Sequence, residues 1–108
     1  MILTVQSTGR GTYRLGISLY DSRNDFNGIR GANVNLIIEG QNYNLRTTCG
    51  PPLNKGFDLY SRALSDWITN NGHGIYVDRN PTKLNFDYAL NGNTHVLTFL
   101  AVVLRQPH

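Results

Sequence analysis

The chain has 108 residues, is 40% hydrophobic and 16% charged, carries a formal net charge of +3 and contains one cysteine. That length fits one domain around one core, and the aromatic and apolar content excludes a disordered polymer. A single cysteine excludes an intramolecular disulfide and any all-cysteine zinc or iron–sulfur centre.

The first predicted hairpin joins residues 2–7 to 12–20 through Gly9-Arg10-Gly11. A three-residue loop there pairs Thr8 with Thr12, Val5 with Leu15 and Leu3 with Ile17. Tyr13, Leu15, Ile17 and Leu19 alternate with Thr12, Arg14, Gly16 and Ser18, the period of a half-buried strand. A polar connection, Asp21 to Ala32, follows and reads as a turn-rich loop in which Asn and Asp bond local backbone. Its Asp21, Asp25 and Asn27 provide oxygen atoms at short spacing, but the glutamate that closes a calcium loop is absent.

The second hairpin joins 33–38 to 43–48 through a two-residue Gly40-Gln41 turn. This opposes Ile38 to Tyr43, Leu36 to Leu45 and Val34 to Thr47 on one face. The other face holds Asn33, Asn35, Asn44, Arg46 and Thr48, with Ile37 its apolar member. Cys49 then ends a strand ahead of Pro51-Pro52 and reads as a small residue buried at a strand end; no histidine spacing ties to it as an activating base.

Phe57, Tyr60, Leu64, Trp67 and Ile68 form a stripe at helical spacing, predicting a helix over 57–69 with Asn54 as N-cap and Asn70-Asn71-Gly72 as the stop. Asp58 and Asp66 then flank Arg62 as an ion-pair row on its outer side. His73 falls in an exposed loop. A short strand, Ile75-Tyr76-Val77, precedes the third hairpin, 82–90 to 94–102, turned at Asn91-Gly92. That turn opposes Phe86 to Leu97, Leu84 to Phe99 and Tyr88 to His95, placing His95 on the inner face.

The fold class is therefore α+β: mainly antiparallel, three hairpins and about seven strands, with one helix packed on the sheet, in a single domain over 1–108. The stretch from Gly28 to Tyr43, with its glycines and alternation, resembles the strand-turn-strand opening of prealbumin-like or carboxypeptidase-regulatory β-sandwich modules. The resemblance implies a sandwich, and the helix ahead of the last hairpin departs from that pattern. No residue role follows from it.

Residues 1–50 carry five Arg against Asp21, Asp25 and Glu39, and residues 51–108 carry five basic residues against four Asp. Neither half is a basic block. The longest apolar run, Val96 to Leu104, is about half a membrane-spanning helix. With no basic start and no signal-length apolar stretch, the chain reads as soluble and cytoplasmic, without a membrane partner. No cofactor motif, metal-ligand spacing or catalytic cluster emerges. The favoured reading is a non-catalytic binding module for a protein partner or for a second copy of itself. Its candidate binding residues are Arg23, Asn24, Asp25, Arg30, Asn35, Asn44, Arg46 and His73, because amides and guanidinium groups make directional bonds and free sheet edges accept partner strands. Two readings compete. One is a small enzyme with a site near the 21–32 and 70–74 loops, using His73, Cys49 or Asp25. The other is a nucleic-acid binder that gathers Arg10, Arg14, Arg23, Arg30 and Arg46 on one face.

Overall fold

The computed structural model describes residues 1–27, 31–48, 56–74 and 80–103. Within them the chain runs β1 (Ile2–Ser7), β2 (Tyr13–Ile17), α1 (Leu19–Asn24), β3 (Asn33–Ile38), β4 (Gln41–Arg46), β5 (Asp58–Leu59), α2 (Arg62–Asn70), β6 (Lys83–Asn91) and β7 (Thr94–Val102). The strands form one sheet in the order β4-β3-β7-β6-β1-β2-β5. Every neighbouring pair is antiparallel except β3 and β7, which run parallel. The sheet is thus mixed rather than uniformly antiparallel, and it is a single sheet rather than a sandwich.

The sheet curls until its two ends meet. Thr48, two residues beyond β4, bridges Asp58 of β5. The Thr48 amide donates to the Asp58 carbonyl at 2.9 Å and the Asp58 amide donates back at 2.6 Å. The result is a nearly closed barrel whose inside is Leu3, Val5, Leu15, Ile17, Val34, Leu36, Ile38, Leu84, Phe86 and Leu97, all buried. Alternation along each strand sends the other side chains outward.

The three hairpins form as their patterns predict, with two changes of register. The first keeps Val5 opposite Leu15 and Leu3 opposite Ile17. Thr8 N donates to Thr12 O across the three-residue loop. In the second, the turn residues are Glu39 and Gly40, both at positive φ, so Leu36 opposes Tyr43 and Val34 opposes Leu45. That is the type I′ geometry, in which both central residues are left-handed. In the third, the turn is Gly92-Asn93, so Leu90 opposes His95, Tyr88 opposes Leu97 and Phe86 opposes Phe99. Gly92 takes the positive φ that a type II′ turn requires first. Moving a turn by one residue moves the pairing by two, so side chains stay on their predicted faces up to the bulge between Asn85 and Phe86, past which Leu84 opposes Val102 instead of the expected Phe99.

The helical content departs further from expectation. Residues 19–20 do not extend β2. They open α1, where Ser18 Oγ accepts from the Asp21 amide at 3.1 Å as an N-cap. The stripe read as a helix from 57 is first a strand. Phe57 and Leu59 face inward and Asp58 outward, because β5 pairs with β2 on one side and Thr48 on the other. The helix begins only after Ser61, whose Oγ accepts from the Leu64 amide at 3.0 Å, so Asn54 is not its cap. Asp58 consequently pairs with Arg14 at 3.6 Å, and the helix retains only the Arg62–Asp66 pair. The predicted stop holds: Gly72 at φ +71° closes α2, with bonds from Gly72 N to Thr69 O and from His73 N to Ile68 O. Asn54, Cys49 and the predicted strand 75–77 lie outside the described residues.

The two helices close the barrel's two mouths. Behind α1, the Phe26 ring meets His95, Tyr88 and Phe57 at centroid distances of 4.2, 6.2 and 6.4 Å. At the other end, α2 sets Trp67 against Phe99 at 5.4 Å, and Ser65 Oγ accepts from the Tyr13 amide at 2.9 Å. Gly56 is required where β5 enters the sheet, since a Cβ there would fall 1.7 Å from the Ile17 carbonyl oxygen.

Two stability outcomes follow from this construction. Glu39 occupies a left-handed turn position at φ +53° that suits Asn or Gly. Glu39→Asn is expected to stabilise the fold by up to about 1 kcal/mol, read as a raised urea midpoint at unchanged slope. The buried Ser22 hydroxyl accepts from the Phe57 amide at 2.9 Å and donates to the Ser18 carbonyl at 2.8 Å, tying α1 to β5. Ser22→Ala leaves the Phe57 amide buried and unpaired and is expected to cost about 1–3 kcal/mol in the same unfolding measurement.

Candidate binding site

The predicted site residues separate in space. Arg23 and Asn24 are exposed on α1, and the Asn24 amide is engaged locally, donating to the Tyr20 carbonyl at 2.7 Å. Asp25 caps α1 beside Phe26, at one mouth. His73 follows α2 at the other mouth. It is half-buried rather than exposed, with its ring 5.1 Å from Trp67. Burial holds its pKa below the ordinary histidine value, against the opposing pull of Glu39. Asp25 and His73 are therefore separated by the length of the barrel and share no cleft. Arg30 lies outside the described residues.

At the α1 mouth sits a buried polar pair. Tyr88 Oη lies 2.7 Å from His95 Nδ1 and 3.3 Å from the Asp25 carbonyl oxygen. The proton placement that satisfies both contacts has Nδ1–H donating to Oη and Oη–H donating to the carbonyl, with His95 neutral. Burial lowers the His95 pKa and raises that of Tyr88; the Asp25 carboxylate raises both. His95 is 8% exposed and lies under the Phe26 ring. The pair is a bonded core element of the kind expected for His95 on the inner face.

Asn35, Asn44 and Arg46 share the outer face of β3 and β4. Asn35 donates to Asn42 Oδ1 at 3.2 Å, while Asn44 and Arg46 are exposed. The ladder register decides what these residues offer. Ile38 and Gln41 flank a two-residue turn and so form a hydrogen-bonded pair, and the amide of Thr47 donates to Ala32 O. Odd-numbered residues of β4 therefore bond β3, and the amides and carbonyls of Asn42, Asn44 and Arg46 point away from it. Among the described residues no strand pairs with that side of β4 until Thr48 meets Asp58. Among the described residues the outward side of β4 is therefore unpaired from Asn42 to Arg46, and the bridge at Thr48 ends that stretch.

Next to the bridge lies a cleft of about 440 Å³. The β1–β2 hairpin provides Thr8, Arg10, Thr12 and Arg14, β5 and its continuation provide Asp58 and Tyr60, and Thr48 closes the side toward β4. Alternation puts Thr12 and Arg14 on the outer face of β2, and the Gly9-Arg10-Gly11 loop presents Arg10 at the tip. Arg14 is held in place: its Nε donates to Gln6 Oε1 at 3.1 Å, and its Nη1 lies 3.6 Å from Asp58. Two guanidinium groups against one carboxylate leave the cleft positive. Tyr60, 45% exposed, gives it an aromatic wall instead of the core contact its helical spacing implied.

Comparison with known families, curated proteins and solved structures finds no match to this chain. The site must therefore be judged on its geometry. Of the five arginines proposed to gather on one face, Arg10 and Arg14 share the cleft, Arg46 stands two residues from Thr48, and Arg23 is on α1. Thr48, Asp58 and Tyr60 were not legible as site residues, because a two-residue strand has no periodicity to read. Among the described residues no three His, Cys, Asp or Glu side chains converge on one point, and no helix is long and apolar enough to cross a membrane.

His95, buried, and His73, half-buried, set a pH response. Both have folded pKa values below their unfolded value near 6.5, so the unfolded chain protonates first as pH falls. Their contribution is complete above about pH 6.5 and is lost as pH falls through the depressed folded values. Urea midpoints measured across this range are expected to drop on the acid side, and His95→Gln, which retains a partner for Tyr88, is expected to flatten that drop.

Proposed function

We propose that this chain is a non-catalytic protein-interaction module that takes an extended segment of a partner protein as an added strand along β4. One observation carries the reading: a sheet otherwise closed on itself leaves the outward amides and carbonyls of Asn42, Asn44 and Arg46 without strand partners among the described residues. Backbone groups presented this way provide affinity to an incoming strand, and alternate side chains provide selectivity. The half-exposed Tyr43 and Leu45 on the same strand supply apolar area beside it.

A second reading, single-stranded nucleic acid, draws on Arg10 and Arg14 in the cleft with the exposed Tyr60 ring, the combination of cations and stacking surface used by such binders. The two differ in their response to salt, since phosphate contacts weaken steeply with ionic strength.

The test is selection from a displayed random octapeptide library, followed by hydrogen exchange on the complex. Bound peptide is expected to protect the amides of Asn42, Asn44 and Arg46. Asn44→Pro removes an outward donor on an edge strand, where proline is tolerated, without removing a β3–β4 bond. It is expected to weaken peptide binding by about tenfold or more, the loss of one well-made bond and its alignment. Peptide binding that ignores Asn44→Pro, or tight salt-sensitive binding of oligothymidine in its place, overturns the reading.

A further inference from the structure

We propose that the cleft beside Thr48 is a selectivity pocket for the end of that added strand, and that it takes an oxyanion carried on the partner's side chain, a carboxylate or a phosphoryl group. This rests on the strand reading above. The Thr48–Asp58 bridge fixes where an added strand must stop, because Asp58 already occupies the position opposite Thr48. The last residue of the incoming strand therefore lies opposite Arg46, two residues from the antiparallel bridge, where the β5 continuation through Tyr60 bounds it beside the cleft that Thr48 and Tyr60 line. An outward side chain on that residue extends over the outer face of the seam, the side on which Arg14 and Asp58 stand.

The cleft's chemistry selects an anion. The Nε of Arg14 is bonded to Gln6, while its Nη1 pairs with Asp58 only at 3.6 Å, longer than a charge-assisted bond. A second acceptor can therefore compete for the same guanidinium. Arg10, exposed at the hairpin tip, has no bonded partner among the described residues. The Thr48 hydroxyl already donates to the Asp58 carbonyl at 3.2 Å and the Thr8 and Thr12 hydroxyls bond each other, so the two guanidinium groups are the donors left to the cleft. A second copy of this chain does not supply what the cleft lacks: an antiparallel β4 pair centred on Asn44 brings Asn42 opposite Arg46, with no carboxylate. In that pairing the edge strand of a second copy brings no acidic group to the cleft, so the occupant that fits is a partner segment that carries one.

The experiment uses the library-selected peptides as probes. Sequences are expected to converge on Asp or Glu at the end nearest the bridge. Exchange of that residue for Gln or Asn is expected to weaken binding about 5- to 50-fold, the range of a charge-assisted contact in a partly exposed site. Arg10→Ala, at an exposed loop tip, and Arg14→Gln should each weaken the acidic peptide and leave its amide analogue unchanged. A phosphoserine analogue that binds tighter than the Glu peptide assigns the pocket to a phosphoryl group, and one that binds more weakly assigns it to a carboxylate. Equal binding of the acidic and amide peptides overturns the pocket and leaves the strand reading intact, provided Asn44→Pro still weakens binding about tenfold or more. Acid-dependent binding that survives Asn44→Pro overturns the strand reading and the link between edge and cleft. A library that yields no binder overturns both.

Discussion

Two backbone hydrogen bonds between Thr48 and Asp58 convert a curved sheet into a barrel. The strand that makes this possible is two residues long and has little of its own to hold it. Its neighbours position it: the Ile17 amide donates to Phe57 O at 2.8 Å, the Ser22 hydroxyl receives the Phe57 amide, and Gly56 lets the chain pass against β2. The order of β4 and β5 at opposite ends of the sheet, the packing of Phe26 into one mouth and the position of the arginine-lined cleft all depend on this short join.

The division between what the sequence disclosed and what it concealed follows the range of the interactions. The hairpins were legible because alternation and turn glycines lie within a few residues of each other. Their exact registers were not, because Gly40 fits either central turn position and the choice depends on whether Glu39 accepts a left-handed backbone. Face assignment survived, since the shift was by two residues. Helix α1 had a readable signal in Ser18 and Asp21, a capping pair three residues apart, but the alternation of β2 ran on through Leu19 and masked it. The segment from Phe57 was misread for the opposite reason. Phe57, Tyr60 and Leu64 repeat at helical spacing, yet long-range pairing with Gly16 and Thr48 draws residues 57–59 into the sheet. Local pattern cannot report a partner forty residues away.

The candidate site divides in the same way. The outer face of β4, with Asn44 and Arg46, was legible because a strand's polar side declares itself by period. The cleft was not, because it assembles a loop tip, a two-residue strand and the residue after β4. The residues that most resembled catalytic groups have structural roles instead. His95 bonds Tyr88 beneath an aromatic ring, and His73 packs on Trp67 at the other mouth.

The parallel β3–β7 pair carries a kinetic consequence. It joins Asn33 to Thr94, and β1 meets β6 across a comparable stretch of chain, Ile2 to Asn85. The three hairpins nucleate from local contacts, whereas these two pairings each require a long loop to close first; Thr48 and Asp58 are close in sequence, but their join completes the barrel only once the strands between the two ends of the sheet have paired. Barrel assembly is thus a late event, slower than hairpin formation, during which several strand edges stand open together. Unpaired edges are the surfaces through which folding intermediates associate. The join that finishes the barrel thereby also narrows, in the folded molecule, the edge through which its own unfinished forms would aggregate, leaving the outward side of β4 as the unpaired stretch among the described residues.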